Sequence, residues 1–426
     1  MPLPLPAVGE TVEILIETVA PNGKGKGSAV RPRYDQIAFF VEATAPGDRV
    51  RAVVIQARKR YVEADLTELL AAGPARVLPP CPHYAECGGC QLMHLDYPAQ
   101  LAAKQEILRY ILRRRGLPHE KLAPPEASPL ECRYRMRSVL TLGADGSFGM
   151  QRRRSNAVVP LRSCHLMRQP LEEKLFAAAA AYRQAMPLHV GSTYPLKIKG
   201  VLDPATGRLF LHPFYDPLEI NSPRDWFEWQ GDRFAVAANA VCRWRVGGEE
   251  RLFAPDCFTQ VNPEVNEKLI AFALGELAPG KNDRVLELYA GIGNFTVPLA
   301  RAAGEVTAVE WPRGAEFGRR NIEAAGASNA QFIAGEVIAT LRQLVVQRRK
   351  YELVLLDPPR DGIGEEGVRL LGTLRPARIA YVSCEPLTLV ADLEALAKFG
   401  YALRIVRAFD MFPQTFHLET CAILER

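Results

Sequence analysis

The residue types best suited to chemistry lie in the last third of the chain, at the ends of apolar runs: Cys384, Asp357, Glu310 and Glu419. Tyr381-Val382-Ser383-Cys384-Glu385-Pro386 closes residues 378–382, an apolar run that reads as a buried parallel strand stopped by proline. Ligands of open α/β sheets bind just beyond the carboxyl ends of the strands, so Cys384 is expected at the mouth of a site. Taken alone, such a cysteine is either a small buried hydrophobe or a reactive thiol. Residues 351–356 read as the preceding buried strand, and Pro358-Pro359 make a stiff turn that sets Asp357 over the same site. Glu310 ends a strand over 306–309, where an acid can accept hydrogen bonds from ribose hydroxyls. His417 and Glu419 stand two apart near the start of the last strand and share one face, as site groups or as solvent-facing polars.

The elements that must hold these groups alternate as strands and helices from about residue 252, the α/β signature. A strand over 285–289 runs into the tight turn Ala290-Gly291-Ile292-Gly293-Asn294, and a helix opens over 295–302. Thr296 stands where the dinucleotide fingerprint has its third glycine. That favours S-adenosylmethionine over a dinucleotide, because no pyrophosphate has to be accommodated. Strands over 401–409 and 420–424 complete the segment.

The beginning of the chain has a different character. Strand-like alternation covers residues 10–16, 37–41, 49–57 and 61–69, with a turn at Ala45-Pro46-Gly47-Asp48. Gly23-Lys24-Gly25-Lys26-Gly27-Ser28 reads as a loop whose glycines free the backbone and whose lysines supply charge. Short strands at this spacing suggest a small barrel of the oligonucleotide-binding kind, and the pattern resembles a TRAM domain. Next come Cys81, Cys87 and Cys90 in a C-x5-C-x2-C spacing with Gly88-Gly89 between the last two, and Cys164 is the best candidate for a fourth ligand. Four thiolates suit either tetrahedral zinc or a [4Fe–4S] cluster, and spacing does not choose between them. A helix is expected over 98–115, a strand over 133–142 with Arg133, Arg135 and Arg137 on one face, a helix through 176–182, and a strand at Phe210-Leu211-His212.

With 426 residues the chain has room for two to four domains. No apolar run approaches the length of a membrane span, and residues 1–6 lack the basic and apolar regions of a signal peptide; a cytoplasmic, monomeric protein is expected. Nine cysteines in irregular spacing point to metal binding or catalysis rather than disulfides. The net charge of +5 is modest, but Arg113-Arg114-Arg115, the three arginines at 133–137 and Arg152-Arg153-Arg154 suit a polyanion, or are solvated surface.

Taken together, the barrel, the cysteine set, Phe258-Thr259-Gln260-Val261-Asn262, the segment 286–300, Asp357-Pro358-Pro359-Arg360, Ser383-Cys384-Glu385-Pro386 and the segment 412–419 resemble the RNA uracil-5-methyltransferase family, in its iron–sulfur ribosomal RNA branch. The resemblance implies an N-terminal OB-like β-barrel (TRAM) over 1–70, an α+β central domain with the cysteine cluster over 71–250, and a C-terminal α/β Rossmann-like methyltransferase domain over 251–426. It implies a [4Fe–4S] cluster on Cys81, Cys87, Cys90 and Cys164, and S-adenosylmethionine contacts from Gln260, Tyr289, Asn294, Glu310 and Asp357. It also implies Cys384 as nucleophile and Glu419 as base. The implied substrate is a uridine of RNA, ribosomal before transfer RNA. The rivals are a methyltransferase acting on an exocyclic amine through Asp357-Pro358-Pro359 and a non-enzymatic RNA-binding protein with a decayed site. The chain departs from the family at Glu385, Asp361 and Glu336. A carboxylate at 385 should raise the neighbouring thiol's pKa unless it is turned away or paired.

Overall fold

Apolar residues at every second position close the first strands of the chain into a barrel. In the computed structural model, which describes residues 5–30, 32–34, 36–185, 195–215, 225–237 and 239–426, these are β1 (Thr11–Val19), β2 (Gly25–Ala29), β3 (Ala38–Val41), β4 (Arg49–Arg58) and β5 (Tyr61–Ala71). They close in the order β1-β2-β3-β5-β4 around Ile14, Ile16, Phe39, Val41, Val50 and Val62. Residues 1–4, part of the stretch in which no leader is expected, lie outside the described residues. The expected glycine loop at 23–28 is instead mostly strand β2. Its glycines serve close approach rather than freedom: a Cβ on Gly27 would lie 2.0 Å from the Leu15 carbonyl oxygen, and one on Gly25 2.1 Å from Thr44 Oγ1.

The chain divides into two compact units, the first being Met1–Tyr110 with Arg152–Ser155 and Phe412–Phe416. Beyond the barrel this unit carries the turn-rich cysteine segment and most of α1 (Tyr97–Arg114). The second unit is the remainder of the chain. Its first sheet has the order β12-β11-β10-β9-β6-β7-β8, with β6 (Arg137–Leu142), β7 (Phe148–Gln151), β8 (Val158–Pro160), β9 (Lys197–Leu202), β10 (Leu209–Phe214), β11 (Phe227–Trp229) and β12 (Phe234–Val236). Helix α2 (Gln169–Ala185) covers it, packing Leu171, Leu175 and Ala178 against Leu140, Ile198 and Leu211. The strand expected over 133–142 begins only at Arg137. Arg133 takes a left-handed φ of 60° and turns its guanidinium to Glu172 and to the carbonyls of Cys164 and Met167. The three arginines therefore do not form one exposed face.

After the hairpin β13 (Cys242–Val246) and β14 (Glu249–Phe253), the α/β part begins with α3 (Pro263–Leu277). Its strands are β15 (Arg284–Leu288), β16 (Glu305–Glu310), β17 (Ala330–Ala334), β18 (Leu353–Leu356), β19 (Arg378–Ser383), β20 (Ala402–Phe409) and β21 (Glu419–Glu425). Its other helices are α4 (Thr296–Ala302), α5 (Pro312–Ala324), α6 (Val337–Val346), α7 (Gly364–Leu374) and α8 (Pro386–Ala397). The sheet order is β17-β16-β15-β18-β19-β21-β20, parallel as far as β19 and antiparallel for the last two strands. The central strands are apolar along their length because helices cover both faces. The strand order reverses between β15 and β18, the switch point at which such sheets bind ligands. Among the described residues no helix is long and apolar enough to cross a membrane.

Candidate active site

Strand register assembles the site. Leu288 pairs with Val309 on one side and Leu356 on the other, so Tyr289, Glu310 and Asp357 leave three neighbouring strands at one level. On the far side, Ser383 pairs with Thr420, and Thr420 Oγ1 donates to the Ser383 carbonyl at 2.9 Å. Continuing that antiparallel register by one residue sets Cys384 opposite Glu419. Two residues far apart in the chain are thus brought to adjacent strand ends, with Asp357 on the next strand.

The electrostatics follow from burial and crowding of acids. Glu419 is 2 % exposed, its Oε1 has no hydrogen-bond partner among the described residues, and burial with the nearby Asp357 charge holds its carboxyl well above the usual range. Burial, then Glu419 and Asp357, push the Cys384 thiol up to about 11 against the opposing charge of Arg360. Burial and Glu310 raise Asp357 to about 7. Glu310 is itself raised by burial, though its carboxylate accepts hydrogen bonds from the Gly291 and Trp311 backbone N–H groups, each at 2.8 Å. The bond to Gly291 ties the acid to the glycine turn.

The turn itself needs unusual backbone. Tyr289, Gly291 and Gly293 have φ of 61°, 56° and 89°, and only the glycines adopt such values without strain. Asn294 exchanges two amide hydrogen bonds with the fully buried Asn266 of α3, each 2.9 Å. Its side chain therefore braces the turn against α3. Gln260 is buried, while Phe258, two residues before it, is 65 % exposed. Asn262 caps α3 by accepting from the Val265 N–H and donates to Ser128 Oγ.

The departures at 385 and 336 have structural explanations. Glu385 is the N-cap of α8 and accepts from the Leu387 N–H at 3.3 Å. It is turned to the helix, so the raised thiol pKa comes from burial, Glu419 and Asp357 rather than from the neighbouring glutamate. Glu336 likewise caps α6, accepting from Ile338 and Ala339. Asp361 is exposed.

Sequence reasoning missed three supporting groups. Asp392 and Tyr381 are buried and bonded to each other at 2.6 Å, and the Ile363 N–H donates to both, which fixes the end of the loop that starts at Asp357. A polar residue inside the apolar pattern of α8 was the available signal for Asp392. Glu287 is fully buried in β15, accepts from Thr296 Oγ1 at 2.6 Å, and is raised to about 8 chiefly by burial. An acid in the middle of an apolar strand was likewise its signal.

Cys81, Cys87 and Cys90 lie in the first unit and Cys164 in the second. The Gly89 N–H donates to Cys87 Sγ at 3.4 Å, and the Arg153 guanidinium donates to the carbonyls of Tyr84, Cys87 and Cys90. A cavity of about 750 Å³ opens beside Cys81 and Tyr84. The Cys164 N–H donates to Glu172 Oε1 at 2.5 Å. Among the described residues no set of three or more His, Cys, Asp or Glu side chains is arranged to hold a metal ion.

The family model described as tRNA (Uracil-5-)-methyltransferase matches residues 245–426, and the TRAM domain model matches residues 7–67. The chain is 35% identical over 441 residues to the 23S rRNA (uracil(1939)-C(5))-methyltransferase RlmD of Pseudomonas entomophila, covering 98% of this chain and 94% of that protein. It is 33% identical over 422 residues to the protein of the same name from Aeromonas hydrophila subsp. hydrophila, covering 92% of each. Its fold matches the Pyrococcus abyssi tRNA (uracil-54, C5)-methyltransferase, solved with S-adenosyl-L-homocysteine, at a TM-score of 0.72 and 23% identity over 97% of this chain and 99% of that one.

Proposed function

The chain belongs to the RNA (uracil-5-)-methyltransferase family, and on that premise we propose that it methylates C5 of a uridine in 23S ribosomal RNA. The observation that carries the reading is the β19–β21 register, which, continued one residue past Ser383 and Thr420, sets Cys384 opposite Glu419 beside Asp357. C5 of uracil is too weak a nucleophile to attack a methyl sulfonium unaided. The Cys384 thiolate adds to C6 and makes C5 carbanion-like. C5 then takes the methyl group that S-adenosylmethionine supplies when bound. Glu419 removes the C5 proton, the C5–C6 double bond re-forms, and the Cys384 thiolate leaves. A uridine reaches both groups only if it has left its stack.

Gln260, Tyr289, Glu310 and Asp357 are the residues we assign to the methyl donor, with Glu310 on the ribose. Asn294 acts on it through the shape of the turn. The barrel and the central segment serve RNA binding, under the division 1–70, 71–250 and 251–426, and the protein works in the cytoplasm with its RNA. A [4Fe–4S] cluster on Cys81, Cys87, Cys90 and Cys164 remains part of the proposal on the strength of the resemblance, since the spacing suits zinc equally. An amide N–H aimed at Cys87 sulfur and adjoining space are features that suit such a group. It would supply structural bracing, and no step of methyl transfer runs through it.

Purified protein with S-adenosylmethionine should form 5-methyluridine in 23S ribosomal RNA and not in transfer RNA, read by mass spectrometry of nuclease fragments. Methylation of transfer RNA alone would replace the substrate. Methyl transfer to an exocyclic amine that survives Cys384→Ala would replace the reaction.

A further inference from the structure

The arginines and lysines that the sequence offers to a polyanion are mostly neutralised in the first unit. Lys24 Nζ lies 2.8 Å from Glu63 and 3.9 Å from Glu42. On β4, Arg49 pairs with Glu13 and Arg51 with Glu68, while Arg76 binds Asp48 at 2.6 Å. Arg152 pairs with Glu86, and Arg154 with Asp65 at 2.6 Å and Glu42 at 3.2 Å. Arg153 is spent on three carbonyls and lies over the Tyr84 ring, 4.5 Å from its centre. Each such pair leaves little net charge for a phosphate.

The tip of the β4–β5 hairpin differs. Arg58 ends β4, Tyr61 opens β5, and the two residues pair directly, so Lys59 and Arg60 alone make the turn. Arg58, Lys59 and Arg60 are all exposed, and none has a carboxylate within ion-pair distance among the described residues. Tyr61 is 37 % exposed, with its ring held edge-on by Phe40 at 5.9 Å. Three uncompensated cations followed by a braced aromatic combine the two features that grip single-stranded nucleic acid: charge for the phosphates and a face for a base.

We infer that the Arg58–Tyr61 hairpin tip is a docking surface for single-stranded RNA flanking the target uridine, and that Lys24 is not. This deepens the RNA-methylating reading above and rests on it. Cations on a paired hairpin are presented with less backbone ordering cost than on an irregular loop. Neither Lys59 nor Arg60 has a left-handed φ, so replacement there brings no backbone strain.

The test compares wild type, the triple variant Arg58→Gln/Lys59→Gln/Arg60→Gln, and Lys24→Gln, using a 23S ribosomal RNA fragment carrying the methylated uridine. Affinity is measured across a salt series, with S-adenosylmethionine affinity and the thermal midpoint as folding controls. The triple variant should weaken RNA binding and flatten the slope of log affinity against log salt by about 2 units, with methyl-donor affinity unchanged. Lys24→Gln should leave the slope near that of wild type. An unchanged slope in the triple variant, or equal flattening by Lys24→Gln, overturns the inference. Should the triple variant lose donor binding as well, the single Arg60→Gln decides by the same slope, expected to fall by about 0.7. Wild type that methylates no RNA would instead remove the functional reading, which separates the two failures. Tyr61→Ala should weaken binding without altering the slope, because stacking releases no counterions.

Discussion

At the residue scale, the site is a crowd of acids around one thiol. With the Cys384 thiol held at about 11, the thiolate fraction grows with pH through the neutral and alkaline range, so single-turnover methyl transfer should rise from pH 6 to pH 9. A rate flat over that range would mean that substrate binding itself ionises the thiol. Cys384→Ala should abolish transfer and leave donor binding intact. Glu419→Gln should strand the methylated Cys384–RNA adduct, visible as a protein–RNA band on a denaturing gel that carries label from the methyl donor. Glu287 offers a separate check. Its folded pKa of about 8 lies above its ordinary value of 4.5, so the folded chain holds a proton that the unfolded chain has lost. Stability should therefore decline as pH rises through that window, with the full cost present above about pH 8. Glu287→Gln keeps the shape and removes the titration. It should gain on the order of 2 kcal/mol over wild type at pH 9, much less at pH 5, by urea denaturation.

At the element scale, the barrel shows how one strand escapes a periodicity search. β2 is glycine at positions 25 and 27, so its inward side presents only the small Ala29 to count. The chain needs glycine at 27 because the neighbouring backbone of β1 passes too close for a Cβ, and at 25 because Thr44 does. Gly27→Ala should cost about 2–4 kcal/mol, seen as a lowered unfolding midpoint, with donor affinity at native temperature preserved. The α/β elements were easier to read. Buried parallel strands are continuous apolar runs, and Pro263, Pro312 and Pro386 stand in the first turns of α3, α5 and α8. Glu385 is also an element-scale residue: its carboxylate is committed to the N-terminus of α8, where the helix dipole favours negative charge.

At the scale of the whole molecule, each compact unit is discontinuous in the chain: the first gathers Arg152–Ser155 and Phe412–Phe416 to residues from the start. The cysteine proposal is tested there without reference to activity. Protein purified without oxygen should be brown and yield about four iron and four sulfide per chain, the stoichiometry of a [4Fe–4S] cluster. Colourless protein with stoichiometric zinc would give the thiolates to zinc instead. The sequence by itself determined the α/β class of the C-terminal part, the placing of Asp357, Glu310 and Cys384 at strand ends, and the glycine turn. All of these follow from patterns that span only a few residues. Only the tertiary structure decided that Cys384 faces Glu419, because strand register joins distant segments. It also decided which cations stay unpaired. Lys24 and Arg154 look available in the sequence, but Glu63 and Asp65, remote from them in the chain, neutralise them; among the described residues the tip at 58–60 has no such partner. Charge is written in the sequence one residue at a time, whereas its compensation and burial depend on what the fold brings within a few ångströms.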